Sequence, residues 1–397
     1  MSKSRTAKNN LNIPSHQHND YVPQKTETVA IQSASVPLWG NSFTIDLREK
    51  DVLVQELILQ FNLSAITGTA LVGAKYVPAQ FFIDHIDYSQ SGKIIDTFYP
   101  TNQFLTQQLF CYDEDRFVAN CAAGVYSSPA QRIAMAANQN MYYLPLFDFF
   151  KQAKGSMPLL EANHAVQLRV FLQPLANVIS VTSGTVPTGS IIACNMLMKC
   201  IRLREQEVTA LKNDMVKSGA LSFKYTDLKP QISQVVAGSA SYSINLQSLT
   251  GPCAFIYFVV RPTNGLTGEN QFAYLPILSY EIANSSGTNI IGGQAITASQ
   301  AQLIDGNRYS KSTYFAETAL GLTDNKANVY MYSFTADPEA AIREGVSNGS
   351  YTFTGAEVLK INFPSALATA CQIDIHCYTE SVISMTRTSV TRQQFHA

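Results

Sequence analysis

Charge is in short supply in this sequence: Lys, Arg, Asp and Glu make up 14% of its 397 residues, against roughly 25% in a typical soluble protein. Ala, Ser, Thr, Asn and Gln fill the gap, so the surface is polar but sparsely charged. Copies of such a chain repel one another weakly, which suits a protein that packs against itself. The formal net charge is −1, which gives no support to nucleic acid as a main partner. No apolar run reaches the ~20 residues of a membrane helix, and the N-terminus lacks the apolar stretch of a secretory signal. Cysteine is scarce and odd in number, seven in all. That is not a disulfide framework, and it points to synthesis in a reducing, intracellular setting. Tryptophan is nearly missing, with Trp39 the single copy.

What remains reads as strands. Leu57, Leu59, Phe61 and Leu63 alternate across one face, as do Val166, Leu168, Val170 and Leu172, with Gln167 and Arg169 opposite. Further strands are expected at 253–262, 328–334, 358–363 and 372–378, punctuated by Gly, Pro, Asn and Ser clusters. Helical spacing is confined to 129–137 and 204–217, the second with Val208, Leu211 and Met215 on one side. Residues 1–28 hold Lys3, Arg5, Lys8 and Lys25 among many Asn and Gln, the composition of a flexible arm.

One internal echo organises the rest. "ACNMLMKC" (193–200) and "ACQIDIHC" (370–377) share their cysteines and their alternation. The offset is constant, since 371 − 194 and 377 − 200 both equal 177. Within each copy the cysteines lie about 20 Å apart along a strand, far beyond disulfide reach. They read as small core residues on the closing strand of two similar domains. The expected class is therefore all-β, with two tandem sandwiches and few short helices. The expected division is an arm over 1–28, a first domain over 29–205, a linker helix over 206–220, a second domain over 221–390 and a tail over 391–397.

Chemistry has few candidates. His16 and His18 form an H-x-H pair in the arm without a third ligand, and read as solvated. Asp84, His85 and Asp87 sit together without a nucleophile, so His85 is expected to be a hydrogen-bonded loop residue. His164 and His376 read as structural. Asp and Glu are scattered, and the Gly-containing stretches 67–75 and 290–295 match no phosphate-binding loop. No catalytic, cofactor or metal site is assigned.

Two longer stretches carry a resemblance. "LPLFDFFKQAKGSMPLLEANHAVQLRVFL" (144–172) joins a Pro-Leu-aromatic block to a second Pro-Leu run and an alternating strand. "NVYMYSFTADPEAAIREGVSNGSYTFTGAEVLKINF" (328–363) sets Tyr332, Ser333, Phe334 and Pro338 before a Gly- and Asn-containing loop. Both resemble signatures in the major capsid proteins of the double jelly-roll viruses, which include tectivirus-type phages and large DNA viruses of eukaryotes. The Pro-Ser-Gly usual after the second signature in the eukaryotic viruses is absent, with Arg343, Glu344 and Gly345 nearby. That departure and the short chain favour a bacteriophage.

The resemblance implies two eight-stranded jelly rolls side by side and a homotrimer of pseudo-hexagonal outline that tiles an icosahedral virion. It implies neighbouring capsomers, penton and minor capsid proteins and an internal viral membrane as partners, with no specific nucleic-acid binding. Such a protein is made in the host cytoplasm and is no enzyme. Pro145, which cannot donate to a ladder, would end pairing so that Phe147, Phe149 and Phe150 cover the gap between sandwiches. Burying the three rings would contribute about 5–9 kcal/mol before ordering costs. Tyr332 and Phe334 are the counterpart interface residues of the second half. Lys3, Arg5, Lys8 and Lys25 would line the inner face of the shell, and 264–279 with 282–309 its outer loops. A two-sandwich carbohydrate-active or carbohydrate-binding protein, and a minor capsid or spike protein, are the alternatives.

Overall fold

The computed structural model describes residues 25–33, 35–66, 75–76, 79–90, 92–100, 102–103, 105–106, 134–146, 157–159, 166–180, 188–263, 274–301, 328–338, 340–341, 348–386 and 390–394. In the first half the strands are β1 Lys25–Gln32, β2 Ser42–Leu47, β3 Val52–Leu63, β4 Lys75–Tyr76, β5 Ile83–Gln90, β6 Lys93–Phe98, β7 Asn140–Pro145, β8 Met157–Leu159, β9 Val166–Leu172, β10 Ile179–Ser180 and β11 Ile191–Arg202. The second half contributes β12 Leu221–Val235, β13 Ser241–Asn245, β14 Thr250–Pro262, β15 Ser279–Ala283, β16 Ile296–Thr297, β17 Tyr330–Ser333, β18 Tyr351–Thr354, β19 Val358–Asn362, β20 Cys371–Met385 and β21 Val390–Gln394.

Each half folds into two facing sheets of the same strand order. In the first half these are β1-β11-β3-β7 and β2-β9-β5-β6. In the second they are β12-β20-β14-β17 and β13-β19-β15-β16. The correspondence extends to the small additions, since β8 joins β3 and β18 joins β14. Every pairing is antiparallel, so both units are eight-stranded jelly rolls, and the fold is a double jelly roll. The echoed cysteines occupy equivalent strands, β11 and β20. Cys194, Cys200, Cys371 and Cys377 are all buried, facing the cores.

Alternation drives this folding locally. Phe43, Ile45 and Leu47 of β2 and Val166, Leu168, Val170 and Leu172 of β9 point into the first core, while their neighbours face outward. The helix Glu205–Ser218 bridges the barrels. Glu205 and Glu207 favour its N-terminal turn and Lys217 its last, and Gly219 at φ 79° ends it in a left-handed conformation. Its Val208, Leu211 and Met215 pack into the first core, where Leu221, Ile383 and Met385 from β12 and β20 join them.

Some expectations shift. Lys25–Gln32 is a strand paired with β11, so the arm expected through residue 28 yields its last four residues to the barrel. Val390–Gln394 pairs with β20, so the tail expected from residue 391 yields its first four residues to the sheet. The outer loop expected over 282–309 includes β16, and that over 264–279 overlaps the start of β15. The helix expected over 129–137 falls mostly outside the described residues.

Candidate assembly surfaces

The contact between the barrels is built on the outward face of β14, β17 and β20. A register shift between Cys253 and Phe255 places Ala254 and Phe255 together on that face, with Tyr257 and Val259 following in alternation. Phe255 stacks on Tyr378 at 4.5 Å between ring centroids, and Met331, Val329 and Tyr274 complete an apolar patch. Leu105, from the first half, inserts into it. Around Leu105 several polar groups find partners, although the buried Asn102 Oδ1 has none. The Asn102 Nδ2 donates to the Tyr378 hydroxyl at 2.9 Å, Thr106 Oγ1 lies 3.0 Å from the same oxygen, and Gln103 Nε2 donates to the Pro145 carbonyl at 2.5 Å. Asn102, Gln103 and Thr106 are buried. Asn102, Leu105 and Thr106, which follow β6 of the first barrel, thus dock on the flank of the second.

Sequence reasoning missed Asn102, Gln103 and Thr106, because polar residues between strands look like loop. Their one signal was outside themselves, in the continuous apolar run of β14 that needed a cover. Pro145 ends β7 opposite Ile58 and is tied to this docking segment through its carbonyl. Phe147, Phe149 and Phe150 lie outside the described residues, as do Lys3, Arg5, Lys8 and His164. The strand holding Pro158 pairs with β3. Tyr332 and Phe334 sit half-buried at the rim of the second core, in a ring cluster with Tyr351 and Phe353. Asn348 and Gly349 lie against the end of β17. Asn348 N donates to Thr335 Oγ1 at 3.0 Å, and Gly349 has φ 152°. A Cβ at Gly349 would lie 2.7 Å from the Phe334 carbonyl, which is why glycine stands there.

Among the described residues, no apolar cluster forms on the matching flank of the first barrel. On β3, β7 and β11 the outward residues Gln60, Tyr143, Met141 and Asn195 form an open polar network. In it Gln60 donates to the Tyr143 hydroxyl at 3.0 Å and receives from Asn195 Nδ2 at 3.2 Å. Met141 and Ile192 are the large apolar side chains exposed there.

Titratable groups behave as structural parts. His85 lies in β5, not in a loop. Its Nδ1 is 2.7 Å from Asp84 Oδ2, and its ring stacks on Phe171 at 4.1 Å. His376, on the outward face of β20, is buried rather than solvated and stacks on Tyr257. Burial pushes its pKa down to about 4, with Arg261 adding to the effect and Asp374 opposing it. Arg261 and Asp374 pair at 2.7 Å beside it. Among the described residues no group of three or more His, Cys, Asp or Glu is placed to hold a metal ion.

No protein-family model and no curated protein matches the sequence. Solved structures do resemble the fold. The Faustovirus major capsid protein superimposes with a TM-score of 0.69 at 8% identity, over 90% of both chains. VP54 of PBCV-1 gives 0.67 at 15% identity, covering 94% of this chain and 97% of that one. The mavirus major capsid protein gives 0.52 at 10% identity, over 92% and 90%. At such identities the likeness establishes architecture: two tandem jelly rolls along nearly the whole chain.

Proposed function

We propose that this chain is a major capsid protein, a structural subunit whose homotrimers form pseudo-hexagonal tiles of an icosahedral virion. The observation that carries the reading is the inequality of two equivalent flanks. Among the described residues, the outward face of β12-β20-β14-β17 is packed by Leu105 and its neighbours from the first half, whereas the equivalent face of β1-β11-β3-β7 carries a polar network and no such apolar cluster. In a closed ring of three copies, that open face receives the second barrel of the next copy, and six barrels alternate around the axis. The interface is heterologous and closed by rotation. Obligate contacts of this kind bury roughly 2,000 Å² or more in total.

The low charge content supports self-association, and the capsid proteins that share the fold support the assembly class. Phe147, Phe149 and Phe150 beside Pro145 fit the barrel-to-barrel contact, whereas Tyr332 and Phe334, expected as their counterparts, pack on the second core instead. Lys3, Arg5 and Lys8 fit an inner face directed at a membrane surface. Penton and minor capsid proteins complete such a shell, and the subunit is made in the host cytoplasm. No catalytic role enters this reading. Size-exclusion chromatography with light scattering tests it. A particle of three times 43.6 kDa is expected, and a persistent monomer at micromolar concentration overturns the trimer.

A further inference from the structure

The second core contains a pair of cysteines from adjacent strands. Cys253 of β14 and Cys377 of β20 face inward side by side, with their sulfurs 2.7 Å apart, and both are fully buried. The same register shift that turns Ala254 and Phe255 outward brings Cys253 diagonally beside Cys377. Lys229 lies directly opposite Cys377 in register on β12, and its buried ammonium is held by the backbone carbonyl and hydroxyl of Thr250. Among the described residues the first barrel offers no such pair. There Cys194 stands opposite Phe61 and Cys200 opposite Val54.

We infer that Cys253 and Cys377 are a covalent modification site, closing to a disulfide when the protein meets an oxidant of the glutathione-disulfide class. The thiolate of one cysteine attacks glutathione disulfide and releases one glutathione. The second cysteine then displaces the other glutathione from the mixed disulfide. Two thiols and one glutathione disulfide become one protein disulfide and two glutathiones, which carry away both protons and both electrons. The two sulfurs need approach by less than an ångström to reach bonding distance.

Burial holds the Cys253 thiol well above its usual range, while Lys229 pulls the other way. The pair is therefore slow to react while the sheet is closed and fast when it opens. The bond closes a loop spanning 124 residues, long enough for chain-entropy stabilisation to be large.

The test uses the full chain, freed of reductant and held with glutathione disulfide just below the onset of unfolding. The sample is then denatured, alkylated and mapped by mass spectrometry. The expected result is one cross-linked peptide pair joining Cys253 to Cys377, with the unfolding temperature raised by roughly 3 °C or more. Cys377→Ser removes both effects, and Cys194→Ser removes neither. The map of the unaltered protein decides the matter even if a variant fails to fold. Cys253 and Cys377 recovered as free thiols, as separate glutathione adducts or bridged to other cysteines overturns the assignment.

Discussion

The two barrels share a strand order and differ in how they treat one flank. In β3 of the first, burial alternates from Leu57 to Leu63, and Gln60 and Asn62 look outward. In β14 of the second, ten consecutive residues from Gly251 to Val260 are buried. A strand packed on one side alternates, whereas a strand packed on both sides reads as a continuous apolar run. The burial pattern of each strand thus records which flank is packed on both faces among the described residues and which on one. It does so without any change in topology.

That contrast can be broken most forcefully at Phe255. Phe255→Ala, on the covered flank, is expected to cost about 3–5 kcal/mol of unfolding free energy. Tyr143→Ala, on the open flank, should cost under ~1 kcal/mol. Equal shifts in denaturant midpoint would erase the distinction.

The next largest effect is in pH. His376 is held neutral in the fold, with its pKa depressed from 6.5 to about 4. Between those values the unfolded chain gains a proton that the folded chain refuses, so stability is complete above pH 6.5 and falls as the pH drops. The loss reaches about 3 kcal/mol by pH 4 and then levels off. His376→Phe, which keeps a ring against Tyr257, should flatten that part of the stability curve. An unchanged slope would mean that the flank admits water.

Tyr378→Phe removes the hydroxyl that Asn102 and Thr106 share. A penalty of about 1–2 kcal/mol in equilibrium unfolding is expected, because a buried amide loses its acceptor. The smallest effect on the folded monomer should come from Tyr143→Lys, within about 0.5 kcal/mol of the parent. Light scattering should nonetheless show the trimer lost. A variant that assembles normally would move the intersubunit contact elsewhere.

Much of the fold was legible where one face is buried and the other wet. The strands around Leu57–Leu63 and Val166–Leu172, and the paired cysteine segments, announce themselves through alternation. Other elements gave weaker signals for physical reasons. β12 is an edge strand that carries Pro230 and mixed polarity, so it lacks an apolar stripe. β1 is also an edge, and Lys25, Glu27 and Thr28 look like arm residues until β11 pairs with them. Lys25 and Arg202 both bond Glu27, and Arg202 also reaches Glu49, a charged cluster spread over three segments that no local window reveals. At the inter-barrel contact, the Pro145 carbonyl accepts from Gln103. The docking residues Asn102, Leu105 and Thr106 stayed hidden, since their role depends on a partner face more than a hundred residues away.

β20 is rooted in two cores at once. Cys371, Ile373, Ile375 and Cys377 belong to the second barrel's interior, while Ile383 and Met385 lie with the connecting helix in the first. Neither interior can melt without stripping neighbours from the other, so cooperativity extends across what would otherwise be two independent folding units. Heating should give a single transition whose calorimetric and van't Hoff enthalpies agree, with amide exchange along β20 as slow at its far end as at its middle.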